Sequence, residues 1–329
     1  MNGTMKTAQR RTLLLAPLLA LTRTASAQAT GWPVKPIRVI VAYPTGGPAD
    51  SAARQIAERL ATSLGQPVVI ENRAGASGSI GMDALAKAAP DGHTIGFASI
   101  SPLSLSPHVG RVPYDPLKDV MPVARVMYSP IYVLATPAFT GASLADALAQ
   151  ARARPGRLNF ATSGVASVGH LMLEALMRQA KVEINHVPYK GGGQIITDAV
   201  GGQFELLTQN PSPTLNAMIT QGKLRVLAVA APQRLAAMPD KPTLLELGHP
   251  AANLTSVFGI FAPARTRPEI VARLNAEINA VLATRDMQER LARLDNVVSP
   301  ASVEQFASQI AAEHETNARI VRDAGIRAD

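Results

Sequence analysis

The sequence predicts an α/β protein built as two lobes with a cleft between them. Three observations carry this expectation. Short apolar segments alternate with amphipathic helical ones along most of the chain, the pattern of parallel or mixed sheets covered on both faces. A length of 329 residues exceeds one typical domain and points to about two. Two extended apolar segments bounded by proline, at about 128–136 and 255–263, read as passages between domains. Two passages make one domain an insertion in the other.

In chain order, strands are expected at 37–42, 67–71, 94–98, 131–135, 158–161, 184–187, 204–208, 224–230 and 255–262. Helices are expected at 50–64, 79–88, 143–153, 169–179, 192–200, 212–220, 267–283 and 302–323. The first helix rests on Ile56, Leu60 and Leu64, which recur every four residues, with Gly65 where a left-handed residue ends a helix. Ser143 is the natural N-cap of the helix after it, and Pro155-Gly156 stops that helix.

Two strand-to-helix junctions concentrate Gly, Ser and Thr. The first is Tyr43-Pro44-Thr45-Gly46-Gly47-Pro48-Ala49-Asp50, and the second is Thr162-Ser163-Gly164-Val165-Ala166-Ser167-Val168-Gly169-His170. A helix start carries unpaired N–H groups and the positive end of the helix dipole, so a glycine-rich lead-in makes an anion site. Neither junction contains Lys or Arg. Neither offers a convincing nucleophile and base, so the pattern suggests holding an anion rather than transforming one. His170 near Ser167 raises the idea of a hydrolase, but no acid beside it in sequence orients the ring, and a structural histidine at a helix start is the simpler reading. Asp50 reads as a helix-start acid that ties down the first loop, or reaches a ligand through water.

Other motifs exclude functions. Gly75-Ala76-Ser77-Gly78-Ser79-Ile80-Gly81 spells G-x-x-G-x-x-G rather than the dinucleotide fingerprint, and neither a P-loop nor a G-x-S-x-G elbow is present. The six histidines are scattered without metal-ligand spacing, so no metal and no cofactor is expected.

Residues 1–27 read as a secretory signal peptide, with Lys6, Arg10 and Arg11 ahead of a short apolar run from Leu13 to Leu21 and the small residues Ala25-Ser26-Ala27 at a cleavage point near Ala27. Lys6, Arg10, Arg11 and Arg23, and no acid, lie in this segment, so its removal lowers the formal net charge by four, from +8 to +4. Nucleic acid is therefore not an expected partner. The absence of cysteine leaves an exported protein to be stabilised by its core alone and excludes thiol chemistry. The expectation is a free soluble protein outside the cytoplasm.

These features fall into a larger pattern. Blocks spread over nearly the whole mature chain include Trp32-Pro33-Val34-Lys35-Pro36-Ile37-Arg38, Gly46-Gly47-x-x-Asp50, Glu71-Asn72-Arg73-Ala74-Gly75-Ala76, Ala89-Pro90-Asp91-Gly92 and Pro113-Tyr114-Asp115-Pro116. Further blocks are Pro155-Gly156-x-Leu158-Asn159-Phe160-Ala161, His186-Val187-Pro188-Tyr189-Lys190-Gly191, Gly222-Lys223-Leu224-Arg225-Val226-Leu227 and Phe258-Gly259-Ile260-Phe261-Ala262-Pro263. In this order they resemble the Bug-type extracytoplasmic solute receptors of the tripartite tricarboxylate transporter group.

The resemblance implies a type II periplasmic-binding-protein fold, two α/β lobes joined by a double crossover and closing on a small organic carboxylate, with membrane permease subunits as partners. Lobe 1 would take residues 28–128 and 257–329, and lobe 2 residues 129–256. The implied ligand-binding residues are Tyr43, Gly46, Gly47 and Asp50 on one lobe and Thr162, Ser163, Gly164, Ser167 and His170 on the other, with Phe258 bordering the cleft. The chain departs from the family pattern at Pro48, Ala166 and Val257, which together predict a more apolar cleft and leave the ligand open. Two alternatives share the same sequence features: a ligand sensor acting on a signalling partner, and a secreted hydrolase or lyase using His170 or Asp50.

Overall fold

In the computed structural model, residues 1–2 and 31–326 are described; the signal segment and its cleavage point lie outside them. Of the described residues, those from Pro33 onward belong to one unit, which carries both sheets.

The chain opens with β1 (Ile37–Val41), α1 (Pro48–Leu64), β2 (Val68–Asn72), a 3-10 turn at Ala76–Gly78, α2 (Ser79–Ala86) and β3 (Thr94–Ser99). Two four-residue helices, α3 (Ser101–Ser104) and α4 (Ser106–Val109), lead to β4 (Val120–Ser129). After Pro130 come β5 (Ile131–Ala135), α5 (Leu144–Ala153), β6 (Asn159–Thr162), α6 (Val168–Ala180), β7 (Asn185–Pro188), α7 (Gly192–Val200), β8 (Leu206–Gln209), α8 (Pro213–Thr220) and β9 (Arg225–Ala230). The chain then returns through β10 (Ser256–Pro263), α9 (Pro268–Ala283), α10 (Arg285–Ala292), β11 (Val297–Val298) and α11 (Val303–Ala324).

Local chemistry sets these ends. Gly47 is the N-cap of α1 with Pro48 in the first helical position, and Gly65 ends it at φ 67°, a conformation glycine adopts without strain. Ser143 and Asp146 form a reciprocal capping box on α5.

Six strands form one sheet in the order β11-β4-β10-β3-β1-β2, and five form the other in the order β7-β6-β8-β5-β9. In the first, β1 runs parallel to β2 and β3, while β10 is antiparallel to β3 and β4. In the second, β6 runs parallel to β7 and β8, while β5 is antiparallel to β8 and β9. The first sheet packs on α2 and α11 through Ile40, Met82, Leu85, Phe261 and Phe306. The second is buried on both faces, one around Phe160, Met172, Leu173 and Leu206, the other around Tyr132, Ile195, Leu207 and Val229.

The chain changes sheets twice, giving the expected double crossover in a two-lobed fold. The first passage is at Pro130. The second lies in residues 231–255 rather than 255–263, because residues 256–263 form a fully buried strand inside the first sheet. The ten-residue strand β4 was not expected. It contains Pro122 and the half-buried Arg125, and its pairing with β10 carries two register shifts, which removes the clean alternation that marks a strand. Helix α10 was also unexpected, since Met287 and Leu291 are its only buried residues.

Candidate functional site

Parallel strands deliver their carboxyl ends to one edge of a sheet, and ligands of open α/β sheets bind there. Both sheets turn that edge toward a common cavity. It is lined from the first lobe by Tyr43 and Gly47–Ala49 after β1, Ser77 after β2, and Ser99 and Ser101 around the end of β3. The second lobe supplies Ser163 and Ser167–Gly169 after β6, Gly192 after β7, and Thr208–Asn210 at the end of β8. Phe258 and Ser256 on β10, and Ile131 on β5, complete it, since antiparallel strands begin where their parallel neighbours end. The space is about 50 Å³, room for roughly four waters.

Three helix starts converge here. Neither Gly47 at the start of α1 nor Gly191 at the start of α7 supplies a side-chain cap. On α6 the Ser167 hydroxyl accepts from the N–H of His170 at 3.2 Å, so the earlier N–H groups of that helix remain available to a ligand. No Asp, Glu, His, Lys or Arg lines the cavity among the described residues, leaving backbone donors and the helix dipoles as its positive potential.

The polar side chains in the walls are mostly engaged. Tyr43 Oη and Ser99 Oγ share a hydrogen bond of 2.6 Å, and burial pushes the Tyr43 phenol above its ordinary pKa against that bond. Phe258 stacks on Phe97 and meets Tyr43 edge-on. Gln209 Nε2 donates to the carbonyl of Gly192 at 3.0 Å. Asn210 Nδ2 donates to the Pro130 carbonyl at 2.9 Å and to Ser256 Oγ at 3.1 Å, so one cavity residue holds both passages between the lobes. Thr208 Oγ1 is buried without a partner.

Of the ten residues expected at the site, Tyr43, Gly47, Ser163, Ser167 and Phe258 line the cavity, whereas Gly46, Asp50, Thr162, Gly164 and His170 stand behind it. The Asp50 carboxylate accepts from the Gly46 N–H (2.9 Å), Arg54 Nε (3.0 Å) and Asn72 Nδ2 (2.9 Å). Burial alone would raise its pKa, but these donors outweigh it and hold the carboxyl below its ordinary value. Thr162 Oγ1 pairs with His186 Nε2 at 2.7 Å. His170 Nδ1 accepts from the Ala166 N–H at 3.3 Å, and its Nε2 lies 3.5 Å from Glu174, an acid one helical turn on that the sequence reading did not weigh. Gly164, at φ 137°, sits at a contact between lobes, where an added Cβ would lie 2.7 Å from Ser77 Oγ.

Of the three departures from the family pattern, Pro48 lines the cavity, whereas Ala166 and Val257 do not. Ala166 packs with Leu105, Val109 and Leu171 in an apolar cluster joining the lobes, and Val257 belongs to the core of the first. Serines, Thr208, Gln209 and Asn210 stand in the walls instead. They carry no local signal in the sequence, because polar residues in turns and at strand ends acquire meaning only when the topology gathers them.

The lobes touch around the cavity. The Ser77 hydroxyl donates to the Val165 carbonyl, and Pro44 packs so closely on Gly191 that a Cβ there would lie 2.4 Å from its ring. At the hinge, Tyr132 Oη donates to Asp295 at 2.6 Å. This is a closed arrangement.

Comparison with known proteins places the chain in a family. Residues 52–326 match the family model described as tripartite tricarboxylate transporter family receptor. Protein BugT of Bordetella pertussis is 37% identical over 308 residues, 92% of this chain and 93% of the relative. Among solved structures, periplasmic binding protein BugD superposes with a TM-score of 0.85 at 28% identity, covering 91% of this chain and 100% of that one. MatC from Rhodopseudomonas palustris with bound malate gives 0.82 at 31%, covering 88% and 100%. Rpa4515 of R. palustris with adipate gives 0.85 at 31%, covering 90% and 99%. The chain belongs to the receptor family of the tripartite tricarboxylate transporters and is of the Bug type.

Proposed function

We propose that this protein is a periplasmic receptor that closes its lobes on a small organic carboxylate and delivers it to membrane permease subunits. The observation that carries this reading is the convergence of the starts of α1, α6 and α7 on one cavity without a charged side chain. Such a site stabilises a carboxylate through N–H donors and helix dipoles, and closure strengthens those interactions by excluding water. The malate and adipate complexes of relatives support the ligand class.

In this reading the carboxylate is held by the backbone at Gly47–Ala49 and Ser167–Gly169, with Tyr43, Ser163 and Phe258 at its flanks and Thr208 facing its far side. Gly46, Asp50, Thr162, Gly164 and His170 shape the two loops from behind. Residues 28–129 with 256–329 form one lobe and 130–255 the other, and residues 1–27 are removed on export. The protein works as a monomer, without a cofactor, and binds without chemistry.

The test is a thermal-shift and calorimetric screen of malate, succinate, adipate and benzoate beside sulfonates, sugars and amino acids. A ligand that binds only the folded state raises the melting temperature. Binding confined to carboxylates is the expected result; binding of another class alone would overturn the reading.

A further inference from the structure

A second cavity, of about 410 Å³, lies directly outside the first and is also walled by both lobes. The first lobe contributes the segment from Ala76 to Asp83 and the segment from Ser106 to Pro113; the second contributes Gly164–Ala166 and Pro188–Lys190. Ser77 lines both cavities. What separates them is the bond from the Ser77 hydroxyl to the Val165 carbonyl, beside Gly164. Gly164 itself is wedged, for a Cβ there would lie 2.7 Å from Ser77 Oγ and 2.9 Å from the Tyr189 carbonyl. Because this partition is a contact between lobes, parting the lobes breaks it and merges the two spaces.

The two cavities differ in charge. The inner one has no charged side chain, whereas the outer one carries Arg111 from the first lobe and Lys190 from the second. Both are exposed, and neither forms an ion pair among the described residues. The acid on this wall, Asp83, pairs through Oδ2 with Lys87 at 2.7 Å, while its buried Oδ1 has no partner. Ser106, buried in the same wall, has a hydroxyl without a partner. The outer cavity therefore carries two exposed cations against one acid, faces solvent and becomes continuous with the binding site once the lobes open.

We propose that this outer cavity is an entrance subsite for small organic anions: Arg111 and Lys190, one on each lobe, draw the carboxylate in while the cleft is open, and the Ser77–Val165 contact seals it into the uncharged inner cavity. The inference rests on the carboxylate-receptor reading above. Exposed cations at the mouth of a cleft raise the association rate of an anion and have little hold on it once it is enclosed. A division of labour follows, in which the entrance sets kon and the helix starts set koff.

The experiment is stopped-flow binding of the tightest ligand among malate, succinate, adipate and benzoate, at ionic strengths of about 0.01 M and about 0.15 M, where the Debye length falls from about 30 Å to about 8 Å. The double variant Arg111→Ala/Lys190→Ala is compared with wild type and with Lys118→Ala/Lys223→Ala, which makes the same change in net charge away from both cavities. The expected result is a several-fold lower kon for the entrance variant at low salt, a gap that narrows at high salt, an unchanged koff, and near wild-type rates for the control pair. An unchanged kon, a change carried by koff, or an equal loss in the control pair would overturn the entrance subsite while leaving the receptor reading intact. If none of the four carboxylates binds the wild type, the receptor reading falls, and this inference with it.

Discussion

His170 and His186 stack face to face behind the second loop, with ring centroids 4.2 Å apart and planes inclined by 9°. His170 also faces Glu174, and His186 holds Thr162. Burial, and then the neighbouring His170, push the His186 pKa down to about 4. The unfolded chain takes up this proton near its ordinary value of about 6.5. Between those values the unfolded state binds more protons, so stability falls as pH drops from about 6.5 to 4, by up to about 1.4 kcal/mol per pH unit for one group. Denaturant melts at pH 7, 6 and 5 check this, with His186→Asn expected to flatten the slope. An unaltered slope in the variant would place the acid sensitivity elsewhere.

The glycines of the two loops are expected to separate binding from stability. Gly47 has an ordinary φ of −77°, and a Cβ there meets only the Pro44 carbonyl at 3.4 Å. Gly47→Val should therefore fold with nearly wild-type thermal stability and lose ligand binding, because its side chain fills the cavity beside α1. Gly169 lies under Thr208, where an added Cβ would come within 2.3 Å of Oγ1. Gly169→Ala should lower the melting temperature of the empty protein as well. Undiminished affinity in Gly47→Val would remove the first loop from the site.

Asp50 should act on affinity without touching the ligand. Asp50→Asn removes the charge paired with Arg54 and turns an amide toward the donors of Gly46 or Asn72, at a cost of about 1–3 kcal/mol. The wild-type carboxyl is held below its ordinary pKa, so its advantage is present at neutral pH and is lost as pH falls through the folded value. Chemical denaturation at pH 7, paired with calorimetry, should show the variant both less stable and weaker in binding. Equal affinity would mean that the loop needs no anchor.

Much of this architecture was legible in the residues, and what was not has physical causes. Ile56, Leu60 and Leu64 mark α1 because helical periodicity depends on local spacing alone. Both glycine-rich junctions stood out because several small residues fall together. Strand β4 was hidden by Pro122 and Arg125 in a chain that bulges against β10. Ser77 was hidden in the turn after β2, and Thr208, Gln209 and Asn210 in a short polar run at the end of β8, because only the strand order brings them to one cavity. The acid near His170 was missed because Glu174 is adjacent through a helical turn rather than in sequence.

Pro48 occupies the first position of α1 and lines the cavity, so it withholds an N–H where a carboxylate would be held. Pro48→Ser restores a donor and adds a hydroxyl. A net gain of about 0.5–1.5 kcal/mol per hydrogen bond corresponds to a several-fold tighter Kd. Loss of a residue pre-set for the helix start should lower the melting temperature slightly. Calorimetry showing equal or weaker binding would mean that the start of α1 is not the anchor.

The most direct test of the central claim is a crystal structure with the tightest-binding carboxylate. The account predicts the carboxylate in the inner cavity, within hydrogen-bond distance of backbone N–H groups at Ala49 and at Val168 or Gly169, with no Lys or Arg side chain touching it. A carboxylate held by an arginine or lysine, or bound outside the cavity between Tyr43, Ser167 and Phe258, would contradict it.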